Sequence, residues 1–393
     1  MNNWQRVKLQ EVCHQITDGV HNTVIDDNNG TCLLLSCKNI KDGRVVIGDK
    51  ERRISYETLQ SLRKRTKTAK SDVLVSSVGT IGETAIIQQD DINYEFQRSV
   101  LLLKANPEIL CPEFLLYTLK NMQSYFDSSA KGAVQKCLFI GDIKETGIDL
   151  PPFPEQKAIA EMLGSLEDKI EANRKENETL EAIAVALFKS WFVYLEPFGG
   201  QMPDDWRKGK LADIATITMG QSPSGESYNT AGVGKVFYQG RAEFGWRFPS
   251  NRLFTTEPKR MAEKGDVLLS VRAPVGDINI ANENCCIGRG LSAIHSKYQS
   301  FVLYLLKTQR AELEQYNTEG TIFGCIGKDD LNGLKIIVPT EKVLEYFKSV
   351  CSVIDEKIFY NELQSRTLAQ TRDALLPRLM SRKIRIPPFG DNK

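Results

Sequence analysis

Three histidines and nine cysteines are the residues of this chain best suited to nucleophilic or metal chemistry, and none is spaced for it. His14, His21 and His295 stand far from any ligand-spaced partner, and no Cys-x-x-Cys pair exists, so zinc spacing never arises. The cysteines read as reduced thiols of a cytoplasmic protein. Phosphate-cradling loops are missing too: Gly327-Lys328 is followed by Asp329, and Gly234-Lys235 by Val236. An adenine methyltransferase needs an Asn/Asp-Pro-Pro-aromatic loop, but Leu150-Pro151-Pro152-Phe153 and Ile386-Pro387-Pro388-Phe389 lack the Asn or Asp. Glu167-Asp168-Lys169 has the composition of a metal-dependent nuclease site, yet it adjoins Leu166 and Ile170 on a long helical segment and reads as a solvated face. The expectation is a chain with no catalytic residue, no metal site and no cofactor of its own.

What remains is chemistry of binding. Charge is balanced, 51 Lys+Arg against 50 Asp+Glu, so contact with nucleic acid must rest on local patches or on partner subunits. Lys50 to Lys70 is such a patch, with Arg63, Lys64 and Arg65 at its centre. A second stretch holds Arg247, Arg252, Lys259, Arg260 and Lys264. Clustered positive charge is what phosphate contact requires. Base reading uses Arg or Lys for guanine and Asn or Gln for adenine. Candidates are Lys38, Asn39, Arg98, Gln135 and Lys136 in the first half of the chain. In the second they are Gln221, Gln239, Arg241, Arg272 and Arg289, the last between Gly288 and Gly290.

The elements that must position these residues occur twice. Trp4 to Leu9 recurs as Trp206 to Leu211, Asp72-Val73-Leu74-Val75-Ser76 as Asp266-Val267-Leu268-Leu269-Ser270, and Phe114 to Lys120 as Phe301 to Lys307. Separation drifts only from 202 residues (Trp4 to Trp206) to 188 (Leu166 to Ile354), which marks a duplication. Each copy begins with short β-type runs, intervening helices and polar turns, a mixed α/β head. Each ends in a long segment with apolar residues alternating four and three apart, the period of a coiled-coil seam. In the first copy that seam runs through Leu163, Leu166, Ile170, Asn173, Leu180 and Leu187. In the second it runs through Ile354, Ile358, Asn361, Leu368 and Leu375, with Asn173 and Asn361 at the same place. A helix of that length, apolar along one line, needs a second helix, and the chain supplies one. The predicted boundaries are a head over 1–152, a helix over 153–195, a second head over 196–339 with a linker at 196–205, a helix over 340–382 and a tail over 383–393. The fold class is α/β, with an antiparallel helix pair and an intramolecular pseudo-two-fold. Apolar runs are too short to span a membrane.

With those residues in view, the sequence resembles the specificity subunit of Type I restriction-modification systems over essentially its whole length. The resemblance rests on the duplicated order, the two Trp head starts and the Asp-Val-Leu-x-Ser strands followed by Gly82 and Gly276. It also rests on Pro154-Glu155-Gln156-Lys157-Ala158-Ile159-Ala160, Ala186-Leu187-Phe188-Lys189-Ser190-Trp191-Phe192 and the ending Leu375-Leu376-Pro377-Arg378-Leu379-Met380-Ser381. It departs from that pattern at Arg382 and at Tyr194-Leu195. The resemblance implies two target recognition domains, each reading half of a bipartite double-stranded DNA target, with the helices setting the gap. It implies two modification subunits carrying S-adenosylmethionine, and restriction subunits using ATP and Mg2+. The alternatives are a stand-alone adenine methyltransferase and a protein-binding scaffold.

Overall fold

The computed structural model describes residues 4–132, 136–317 and 324–386. The chain divides into two compact units, Met1–Ala172 with Gln364–Lys393, and Asn173–Leu363. The boundary falls inside both long helices, Phe153–Phe192 and Glu341–Met380, so each unit holds one head and a stretch of each helix.

Both heads are built on one plan. The first has a four-stranded antiparallel sheet in the spatial order Cys13–Asp18, Val100–Ala105, Val73–Ser76, Thr84–Ile86. The second repeats it with Thr216–Met219, Leu291–His295, Val267–Ser270 and Ile278–Ile280. All four residues of Val73–Ser76 and of Val267–Ser270 are buried, because these inner strands are covered on both faces. A two-stranded ribbon closes each head, Gln5–Lys8 against Gly147–Leu150 and Arg207–Lys210 against Lys335–Val338. The ribbon brings the start of each head to the foot of the helix that follows it.

The repeated Asp-Val-Leu-x-Ser run has a structural reason. The carboxylates of Asp72 and Asp266 accept the backbone N–H of Ala69 and Glu263, fixing the turn into the strand. The hydroxyls of Ser76 and Ser270 accept the N–H of Glu83 and Asp277, fixing the turn out of it. Gly82 and Gly276 occupy that second turn at φ of +82° and +103°, where a side chain would be strained.

A short helix in each head, Pro112–Asn121 or Gln299–Thr308, packs against the helix pair. In the first unit Phe114, Leu115 and Leu119 share a core with Ile159, Leu163, Leu376 and Leu379. In the second, Phe301 packs on Phe188, Phe192 and Phe347, with Trp206 against Phe192. Burying one such side chain contributes roughly 1.5–3 kcal/mol.

The helices run antiparallel within each unit. In the first, Arg372 bonds Glu167 at 2.9 Å; in the second, Asn177 meets Ile358 and Trp191 stacks on Tyr346. Of the seam positions, Leu163, Asn173, Ile358 and Asn361 are buried, and Leu166, Ile170, Leu180, Leu187, Ile354, Leu368 and Leu375 are half-buried. The polar positions bond to one another. The Asn173 amide donates to the Asn361 carbonyl at 3.3 Å, and the Asn361 amide to Asn177 Oδ1 at 2.9 Å and Glu176 at 2.8 Å. The second helix continues through Pro377 to Met380, so this proline does not end it.

Two readings of the sequence are corrected here. Glu167 is no solvated residue: it is half-buried and accepts from both Lys120 and Arg372. Arg247, counted in the second basic stretch, is only 2% exposed; it pairs with Asp355 and Glu181 and donates to the Tyr304 hydroxyl. In the first unit Lys120 and Arg372 both pair with Glu167, and Arg44 pairs with Glu171 at 3.5 Å.

Candidate nucleic-acid interface

One set of backbone hydrogen bonds, repeated in both heads, gathers four loops at one end of the four-stranded sheet. Gly19 N–H donates to Val100 O, Val20 to Phe96 O, Gln97 to Leu35 O and Ser77 to Ser99 O, all at 2.8–3.0 Å. The second head matches them with Gly220 to Leu291, Gln221 to Ile287, Gly288 to Tyr238 and Val271 to Gly290, at 2.8–2.9 Å. A fifth segment joins through Leu138 N–H to Ser77 O, matched by Ile326 to Val271. This frame puts Arg98 and Arg289 at the same bend. Both are exposed, and among the described residues neither guanidinium has an ion-pair partner.

The first head distributes its candidates unevenly around that bend. Lys136 is exposed beside the fifth segment, and Lys64 is exposed near the end of the helix Tyr56–Thr66. Gln135 lies outside the described residues. Lys38 is exposed but pairs with Glu51 at 2.9 Å. Burial works to raise the Glu51 pKa, but Lys38, Asn39 and the Gly48 N–H outweigh it and hold the carboxyl below its ordinary range. Arg63 donates to the carbonyls of Ile92 and Tyr94, and Arg65 to those of Asp18 and Gly19. Those two arginines are largely spent on fixing loops.

Asn39 is corrected outright. It is 2% exposed, its Oδ1 accepts the Ser36 N–H, and its amide donates to Val46 O and Glu51. A base edge cannot reach it. Glu243 does the same capping work after Gly240 in the second head. The Ser36-x-x-Asn39 spacing carried this signal, since it is the spacing of a capped turn.

The second head brings Gln221, Gln239, Arg272 and Arg289 to the same edge, all four exposed. Arg241 stands beside them but is held by Asp277. The glycines flanking Arg289 have a packing role: a Cβ at Gly288 would lie 2.6 Å from the Gln239 carbonyl, and one at Gly290 would lie 3.1 Å from it. They admit the neighbouring strand end and leave the arginine as the only side chain of the bend. Residue type alone did not single out His21, Val78 and Phe139, which line a groove with Arg98.

Two frames of this kind in one chain match a described family of domains. The Type I restriction modification DNA specificity domain matches residues 1–182 and 203–351. The chain belongs to that family. It is 32% identical over 335 residues to the MjaX specificity subunit assigned to a type I restriction enzyme of Methanocaldococcus jannaschii, covering 80% of this chain and 79% of that protein. It is 22% identical over 407 residues to the HindI specificity subunit of Haemophilus influenzae, covering 80% and 87%. The S subunit of a type I restriction-modification system from M. genitalium has the same fold, with a TM-score of 0.63, 18% identity and 96% of each chain covered. The domain matched twice is the unit that the sequence duplication delimits, and each match runs from a head into the helix that follows it. Among the described residues no helix is long and apolar enough to cross a membrane.

Proposed function

We propose that this chain is the non-catalytic DNA specificity subunit of a type I restriction-modification complex, each head gripping one half of a bipartite double-stranded target. The observation that carries this is the repeated loop frame presenting Arg98 and Arg289 at equivalent, exposed positions in two members of a DNA specificity family. An arginine free of ion pairs can meet phosphate or a guanine edge, and the neighbouring amides and arginines supply further donors. Nearly neutral charge fits a subunit whose partners share the phosphate contacts.

The helices set the gap between half-sites and dock two modification subunits, which bind S-adenosylmethionine and transfer its methyl group to adenine. Restriction subunits bring ATP and Mg2+. Each helix of 40 residues is about 60 Å long, enough to relate half-sites about 34–36 Å apart, one turn of DNA. Nine unpaired cysteines support a cytoplasmic site of action, where thiols stay reduced.

The test is methylome sequencing of a host carrying this chain with its partners, before and after removing one matched turn from each helix around Asn177 and Ser365. A bipartite motif whose gap changes while its half-sites persist is the expected result. Altered half-sites with a constant gap would refute the role of the helices, and methyl transfer by the purified chain alone would favour a stand-alone enzyme.

A further inference from the structure

The two recognition edges share one backbone frame and differ in what they hold around the constant arginine. We propose that three paired positions decide which bases each head accepts: His21 with Ser222, Val78 with Arg272, and Phe139 with Gly327. The assignment rests on the reading of the chain as a DNA specificity subunit.

The pairing comes from hydrogen bonds, not from residue similarity. Ser77 and Val271 each donate to the residue after the constant arginine, Ser99 or Gly290, so the residues that follow them, Val78 and Arg272, correspond. Leu138 and Ile326 donate back to Ser77 and Val271, which pairs Phe139 with Gly327, each immediately ahead of a short helix. Val20 and Gln221 donate to Phe96 and Ile287, which pairs His21 with Ser222.

The surfaces so aligned are chemically opposite. In the first head His21, Val78 and Phe139 line one groove with Arg98; Phe139 is 53% exposed, and His21 is tethered to Asp18 at 2.5 Å. Val78 and Phe139 can offer no hydrogen bond to a base. In the second head the aromatic ring is gone, Ser222 accepts the Arg289 N–H at 3.3 Å, and Arg272 stands exposed with five donors.

Thymine is the one base that presents a methyl group in the major groove, and apolar side chains are its complement; a guanidinium bonds the O6 and N7 of guanine in bidentate fashion. The first head therefore reads a half-site with thymine at this groove, and the second a half-site with guanine opposite Arg272. Arg98 and Arg289, identical in both heads, serve contacts that carry no sequence information.

The test uses the full chain assembled with its modification subunits, with the methylated motif sequenced and binding measured on duplexes randomised at each half-site. Arg272→Val is expected to reduce the preference for guanine at one position of the second half-site by roughly ten- to hundredfold, leaving the first half-site intact. Val78→Arg with Phe139→Gly is expected to change the first half-site alone. Arg98→Ala and Arg289→Ala should weaken binding to all sequences alike, with the motif unchanged and the slope of log affinity against log salt reduced by about one.

Arg272→Gln exchanges a guanine reader for an adenine reader; it should move the preference at that position from guanine toward adenine while binding persists. An unchanged motif in Arg272→Gln and in the Val78/Phe139 variant, with binding retained, would overturn the assignment. A wild-type complex that binds DNA without sequence preference would overturn both it and the reading beneath it. A bipartite wild-type motif that these variants leave unaltered would overturn the assignment alone.

Discussion

Replacing Arg247 by methionine tests how the second head is fastened to its helices. The guanidinium is 2% exposed and joins three elements: Asp355 from one long helix, Glu181 at 3.4 Å from the other and the Tyr304 hydroxyl at 3.2 Å from the head. Burial works to lower the Arg247 pKa, but Tyr304, Asp355 and Glu181 outweigh it and hold the pKa above its ordinary value. Burial has the upper hand at Lys307, whose pKa falls below its ordinary value despite the pairing with Glu181.

Removing one partner from a buried charge network costs about 3–5 kcal/mol, because the remaining charges lose their compensation. Here Asp355 keeps Ser300 and Tyr304 as donors, and Glu181 keeps Lys307. The loss should therefore lie at the lower end, about 3 kcal/mol. Arg247→Met with Asp355→Asn removes the stranded charge and should recover part of it, to about 1–2 kcal/mol. The assay is urea unfolding of the full chain followed by tryptophan fluorescence. Trp191, Trp206 and Trp246 lie in the unit that contains the clamp, whereas Trp4 lies in the other. A single substitution within 1 kcal/mol of wild type, or a double one no milder than the single, would refute the reasoning.

Gly164→Ala should stabilise the chain by about 1 kcal/mol, measured as a raised urea midpoint, since a Cβ there would meet only the Tyr117 hydroxyl, at 3.8 Å. Asn361→Ala leaves the buried Asn177 side chain without its donor and should cost about 1–3 kcal/mol, checked by thermal unfolding. Glu51 has a folded pKa below its ordinary 4.5, so its contribution is present above that pH and is lost as pH falls through the folded value. Amide exchange at Gly48, whose N–H donates to Glu51, should lose protection over that acid window, and Glu51→Gln should remove the pH dependence.

The sequence by itself determined the duplication, the α/β heads, the pairing of the two long helices and the family. Those rest on period and order: a 3.5-residue apolar repeat can be satisfied only by another helix, and four matches in one order cannot come from local propensity. The repeated Asp72 and Asp266, and Gly82 and Gly276, were legible because turns are local. Tertiary structure alone decided which polar residues are free to bind. Lys64 and Arg65 are neighbours of one type, yet Arg65 is committed to carbonyls 46 and 47 residues away in the chain, and Lys64 is not. Arg247 looked like one more surface cation until Glu181 and Asp355, 66 and 108 residues distant, closed on it. Hydrogen bonds to distant carbonyls and carboxylates leave no periodic trace, so residue type marks the capacity to bind and only the folded chain settles whether that capacity is already used.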